Sequence, residues 1–291
     1  MGSKARARNR VKPSFSLPMW LLFVWTLLFV ALPMAYIVMI SFRERGENWG
    51  VSQTWTLQNY KHLADPLYYS IYGRSILVAA STTLVTLLAG YPFAYALAKL
   101  PEKWRSKVTF FLMAPFWTNS LVRLTGWTIF LRADGPINRL LLAAGFIDKP
   151  LKLLFTSGAT LIGMVYALLP IMILGIYNST EKLDWTQIEA ARDLGAGRFT
   201  AFRTITLAQT KPGILAGCVL TFVPSMGLFF ISDLLGGAKT SLIGNLIQTQ
   251  VQTAHNWPFA AALSVLMLAF ASLMIFFYGK ASGESDFGAL V

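Results

Sequence analysis

Charge is what this sequence has least of. Asp, Glu, Lys and Arg make up 13% of its 291 residues, where a soluble domain carries about 25%. Cysteine occurs once, at Cys218 inside an apolar run, so no internal disulfide can form. A lone thiol there reads as a small buried hydrophobe. Histidine occurs twice, at His62 and His255; the two are far apart in sequence, and each reads as a loop residue rather than a metal ligand. No GxxxxGK(S/T) phosphate loop is present, and no glycine-rich turn follows a soluble strand. No serine, histidine and acid stand at catalytic spacing. These absences argue against a soluble domain, a disulfide scaffold, a metal centre, a nucleotide-binding subunit and a triad hydrolase.

Long apolar runs are abundant instead. Hydrophobic residues make up 55% of the chain, in stretches long enough to cross about 30 Å of hydrocarbon. The reading is an all-α membrane protein of six transmembrane helices, forming one transmembrane domain over residues 1–291. The first run, Leu17–Ile40, has no charge and is too long for a signal-peptide core, so it reads as a retained helix. The other spans are expected near Ser75–Ala98, from Val108 onward with Pro115 inside, and at Ala159–Tyr177, Ile214–Ile231 and Pro258–Tyr278. Ser41–Gly73 and Arg132–Lys152 read as outer segments, the latter with a short surface helix at Leu140–Phe146. Prolines and glycines inside the spans serve either close packing or bending. Arg123 lies sixteen residues beyond Lys107, about 24 Å along an unbroken helix, so it is expected at the outer interface with its side chain snorkelling.

The net charge of +12 does not point to nucleic acid, because the excess sits in short segments flanking the spans. The proposed inner side comprises the tail over 1–16 (Lys4, Arg6, Arg8, Arg10, Lys12), the turn Lys99–Lys107, the loop over 181–212 and the C-terminal tail. It holds 15 of the 25 Lys and Arg and seven of the 13 acids. Two-thirds of the net charge is then cytoplasmic, with both termini inside. The basic tail also suits lipid contact.

The most informative stretch is polar. EAARDLGAGRFTAFRTITLAQTKPGI, from Glu189, lies between two spans. Asp184 with Gln187 three residues on can start a helix as a capping box. That helix is expected over Trp185–Leu194 and should stop at Gly195, where glycine accepts a left-handed turn. Gly197 loosens the corner. A second helix should follow, with Phe199, Phe202 and Ile205 on one face. Glu189 can pair with Arg192 or face a basic group on a partner.

This pattern resembles the EAA loop of ABC importer permeases. Glu189, Ala190, Ala191, Gly195, Ile205 and Leu207 match it, while Ala208 stands where the family usually has proline. The resemblance implies a type I ABC importer permease fold (MetI-like) and a cytoplasmic coupling helix that docks on an ATPase. Longer stretches are similar to spermidine/putrescine importer permeases: DPLYYSIYGRS from Asp65, GYPFAYALAKLP from Gly90, PFWTNSLVR from Pro115, EKLDWTQIEAARDLGA from Glu181 and FFISDLLGGAKTSLIGN from Phe229. This implies a non-catalytic subunit in a bacterial inner membrane. Its partners would be a second permease, an ATPase dimer that binds ATP and Mg, and an extracytoplasmic polyamine-binding protein. No cofactor is expected in this chain. Polyamines are flexible cations suited to aromatic faces and a few carboxylates. Candidate path residues are Trp117, Tyr166, Phe229, Phe230 and Asp233. Each aromatic reads equally as packing, and Asp233 equally as an interfacial cap. Three alternatives stand beside this: the same architecture for an amino acid or opine, an ion-coupled transporter working alone, and a membrane enzyme. The second wants charges inside the spans, and spans one, four and six have none.

Overall fold

The computed structural model describes residues 17–237 and 241–282. The expected basic tail, residues 1–16, and the chain beyond Ser282 lie outside the described residues. Among them, five helices are long and apolar enough to cross a membrane: Trp20–Ser41, Pro66–Lys99, Ser157–Thr180, Arg198–Gly227 and Trp257–Ala281. These are spans one, two, four, five and six. The third is made by two shorter helices, Glu102–Met113 and Ser120–Phe130. Together they follow span four from end to end. Arg105 meets Glu181 just past its C-terminus, and the Leu131 carbonyl accepts from the Leu154 N–H at 3.2 Å just before its N-terminus.

The break in span three has a local cause. Pro115 offers no N–H, and its ring crowds the carbonyl one turn back. The chain tightens into a 3-10 turn, Ala114–Trp117, and leaves the helix at Thr118. It restarts where the Asn119 carboxamide oxygen accepts from the Leu121 N–H at 2.8 Å, a side-chain N-cap.

Span two is longer than expected. It opens at Pro66, whose missing donor costs nothing at a first helical position, with the Asp65 carboxylate accepting from the Leu67 N–H at 3.0 Å. Span five also starts earlier than expected, at Arg198, and runs through Ala208 without interruption. It contains a π-helical turn at Phe202–Thr206. It ends at Gly227, and the chain re-forms as the short turns Phe229–Ile231 and Ser232–Gly236. A helix at Ile243–Gln252 then returns to span two, where the Ile243 N–H donates to the buried Ser75 hydroxyl at 2.9 Å.

The expectation of purely helical structure needs one correction. Ser41–Gly73 contains a two-stranded antiparallel hairpin, β1 (Arg43–Arg45) with β2 (Val51–Trp55). Asn59 clasps its base by donating to the carbonyls of Ser41 (2.9 Å) and Arg43 (2.8 Å). Trp49 stacks flat on His255 with ring centroids 4.3 Å apart, which ties the hairpin to the turn before span six. The outer segment Arg132–Lys152 does carry a surface helix, at Pro136–Ala143 rather than Leu140–Phe146.

The core lies where spans two, four and five cross. Met172, Ile173 and Ile176 of span four are buried against Ala94 and Leu97 of span two. Spans four and five meet at glycines: a Cβ on Gly175 would lie 2.8 Å from the Gly217 Cα, and one on Gly213 would lie 2.5 Å from the Ser179 hydroxyl oxygen. Small residues let backbones approach this closely, which is how membrane helices gain packing without a hydrophobic driving force between them.

Candidate coupling loop and membrane path

The loop begins where span four ends at Thr180. The Asp184 carboxylate accepts from the Thr186 N–H (3.1 Å), the Thr186 hydroxyl (2.6 Å) and the Gln187 amide (3.1 Å). These hydrogen bonds hold it below the usual carboxylate range. The expected capping box is therefore altered, because Gln187 donates to the capping carboxylate rather than accepting from the backbone. Its Oε1 is left to accept from Gln209 of span five at 2.8 Å, joining the two arms of the loop.

The helix Trp185–Asp193 stops as expected. Gly195 has φ +89°. Its N–H donates to the Arg192 carbonyl (3.0 Å), and the Ala196 N–H donates to the Ala191 carbonyl (2.9 Å), the paired bonds of a Schellman ending. Leu194 and Phe199 flank this corner, 89% and 75% exposed. Glu189 and Ala190 also face outward, and Ala191 is half-buried. Ile205 is half-buried and Leu207 exposed on the following helix. The expected second helix exists, but it does not end. Alanine at 208 keeps the N–H that proline would remove, so loop and span five form one rod. Phe199, Phe202 and Ile205 do not form one docking face: Phe202 turns inward and packs edge-on against Tyr91 (5.8 Å) and Tyr95 (6.4 Å) of span two. Lys99 Nζ lies 4.4 Å from the Tyr95 ring centroid and 5.5 Å from that of Trp185. A cleft of about 430 Å³ results, lined by Lys99, Trp185, Glu189, Arg192 and Arg198 among others.

The expected Glu189–Arg192 ion pair is not formed. Among the described residues the ion pair is elsewhere, between Arg105 and Glu181 at 3.0 Å. Arg105 Nη2 also donates to the carbonyls of Ala98 (3.1 Å) and Leu100 (3.3 Å), and the Tyr177 hydroxyl donates to the same Glu181 oxygen at 2.8 Å. One guanidinium thus joins the end of span two, the start of span three and the start of the loop. Sequence reasoning missed it, because nothing local pairs residues 76 positions apart.

The candidate path residues divide into three groups. Trp117 is 75% exposed and packs edge-on against Phe110 (5.4 Å). Tyr166 is half-buried, with Phe116 at 6.2 Å, Trp127 at 5.7 Å and the Arg123 guanidinium at 5.7 Å. The Arg123 guanidinium therefore lies beside Tyr166 of span four. Tyr166 is nine residues into span four, which puts Arg123 about 14 Å below that helix's outer end. Phe229, Phe230 and Asp233 lie together in the turns after span five. Phe229 and Phe230 pack edge-on at 6.1 Å. Asp233 is exposed, and its Oδ1 accepts from the Asn245 amide at 2.5 Å. Asn245 also donates to the Phe229 carbonyl (3.2 Å) and accepts from the Leu242 N–H (2.9 Å). It is a second residue that sequence reasoning overlooked.

The arrangement is a bundle of membrane-length helices with one structured loop between spans four and five. Structures of similar shape include a bacterial alginate ABC transporter in complex with alginate pentasaccharide-bound periplasmic protein. It gives a TM-score of 0.71 at 17% identity, over 91% of this chain and 94% of that one. Another structure, of a bacterial ABC transporter involved in the import of alginate, gives 0.68 at 17% identity over 92% and 96%. These establish the fold as that of ABC importer permeases. No family model matches the chain. Among curated proteins, it is 48% identical over 258 residues to the spermidine/putrescine transport system permease protein PotB of Escherichia coli K12, covering 89% of this chain and 94% of that one. It is 41% identical over 262 residues to the protein of the same name in Haemophilus influenzae, covering 90% and 92%. Identity of this depth over 89% of the chain makes it a member of the spermidine/putrescine transport system permease family.

Proposed function

We propose that this chain is a transmembrane permease subunit of an ATP-driven importer that carries spermidine and putrescine across a bacterial inner membrane. The 48% identity to PotB proteins over 89% of the chain carries the substrate reading. The chain works beside a second permease, an ATPase pair that binds ATP and Mg, and an extracytoplasmic polyamine-binding protein. Both termini and the loop over 181–212 face the cytoplasm. The exposed corner at Leu194, Gly195 and Phe199, with the small face of Ala190 and Ala191, seats in the ATPase. Glu189, Ile205 and Leu207 brace that contact. Closure of the ATPase moves the loop, and the loop moves spans four and five with it. Asp233 receives the released cation at the outer side, and Phe229, Phe230, Trp117 and Tyr166 offer ring faces along the way. Asn245 holds the Asp233 carboxylate by one oxygen, which favours a weak site suited to passage over retention.

The test is reconstitution of the four-subunit complex in liposomes with binding protein outside and ATP inside. ATP-dependent uptake of labelled spermidine and putrescine is the expected result. Uptake of a neutral or anionic solute, with neither polyamine moved, overturns the substrate. Hydrolysis of ATP by this chain alone overturns the division of labour.

A further inference from the structure

A cation buried in a membrane normally has a carboxylate or carbonyls around it. Among the described residues Arg123 pairs with neither. Its Nε and Nη1 are fully enclosed and have no hydrogen-bond partner among those residues. What surrounds it is aromatic. The guanidinium carbon lies 4.1 Å from the centroid of Phe116 and 5.7 Å from that of Tyr166. The two rings stack with planes 29° apart, and Trp127, one helical turn beyond Arg123, meets Tyr166 edge-on at 5.7 Å. All four residues are half-buried, so the platform opens at the surface of this subunit. It lies about 14 Å below the outer end of span four.

Resting on the reading of this chain as a polyamine permease, we propose that Phe116, Tyr166 and Trp127 form a subsite for one ammonium group of the substrate, which Arg123 occupies between transport events and yields when substrate arrives. Three features point this way. Stacked ring faces at this spacing are the chemistry that recognises an alkylammonium. Arginine is the side chain best suited to fill such a place meanwhile, because a guanidinium is more weakly hydrated than an ammonium and lies flat on a ring. And its hold is incomplete: two enclosed donors without acceptors are unfavourable where they are, and regain hydrogen bonds once the side chain swings toward water. Two cations cannot share the platform, so exchange is obligatory. The returning guanidinium displaces the ammonium, which keeps the subsite from trapping its cargo. A conducting site must bind well enough to admit and weakly enough to release.

The measurement compares Arg123→Met and Arg123→Lys with the wild-type complex, each purified with its ATPase to confirm assembly. Methionine keeps the apolar stem and removes the competing cation. Arg123→Met should bind spermidine without ATP on the order of tenfold more tightly, with both KM and kcat of uptake lowered. Arg123→Lys, which restores a cation, should return both toward wild type. Unchanged binding, or a raised KM in Arg123→Met, overturns the proposal, since the arginine then does not compete. If Arg123→Met fails to assemble, Tyr166→Leu decides with Arg123 in place. It should raise KM severalfold, and an unchanged KM overturns the subsite. A wild-type complex that moves no polyamine removes the substrate reading and this inference with it. One that moves polyamine while these variants behave like wild type overturns the subsite alone.

Discussion

Arg105 and Arg123 sit on the same broken span and are held in opposite ways. At the loop end, Arg105 donates to a carboxylate and two carbonyls, and that carboxylate accepts again from Tyr177. Farther along the span, Arg123 rests on two rings with its enclosed donors unmatched among the described residues. The first arrangement suits a joint that must keep its geometry while force passes through it. The second suits a contact that must be exchanged.

The comparison breaks most completely where both regions depend on one crossing. Gly175→Val places carbon within about 2.8 Å of the Gly217 backbone, and over-packing of this kind costs about 1–3 kcal/mol or more. Loss of the folded subunit, read as failure to elute as a single species in detergent, is expected; a normal elution profile counts against the packed crossing. Next is the corner. Gly195→Val forces a β-branched residue to φ +89°, at a cost of about 1–2 kcal/mol. The complex should hydrolyse ATP with uptake reduced at least about tenfold, and intact coupling would remove the corner from the docking surface. Third, Arg105→Gln or Glu181→Gln leaves the joint loose. Glu181 is half open to water, so the pair itself contributes no more than about 1 kcal/mol, and the expected change is in uptake per ATP rather than in thermal stability. Exchanging the two charges, Arg105→Glu with Glu181→Arg, should recover part of the coupling, and a purely packing role for Arg105 predicts no recovery.

Asp233→Asn is a smaller perturbation on the exchangeable side. It keeps the shape and the Asn245 contact while removing the charge; uptake of spermidine should fall a few fold with assembly unchanged, and equal uptake takes Asp233 out of the path. Smallest is Asp184→Asn. Hydrogen bonds hold the Asp184 carboxyl low, so its contribution is complete above the unfolded carboxylate value of about 3.9 and is lost as pH falls through the lower folded value. Amide exchange in Trp185–Asp193 should match wild type at pH 7, because asparagine also caps. The two should diverge only below about pH 4. Divergence at neutral pH would mean that charge, rather than hydrogen bonding, holds the loop.

Much of this was legible in the sequence wherever the cause is local. Gly195 ends its helix where expected, Asp184 caps that helix although Gln187 donates to it instead of closing a capping box, and the uncharged runs mark the spans without fixing their ends. The hairpin at Arg43–Trp55 was hidden because its short strands carry no clean alternation. The Arg105–Glu181 joint and the Asn245–Asp233 contact were beyond reach for another reason. They are made by tertiary packing, and a pattern read along the chain does not say which helix ends meet.

The unbroken rod Arg198–Gly227 has a mechanical consequence. Thirty residues of helix are about 45 Å long. The loop corner is attached at one end and the turns bearing Phe229, Phe230 and Asp233 at the other. Pivoted at the glycine crossing near Gly213 and Gly217, the rod is a lever with arms of similar length. A tilt of about 5° swings each tip by about 2 Å in opposite senses. With alanine at 208, one continuous length of helix joins the loop corner to the turns beyond Gly227.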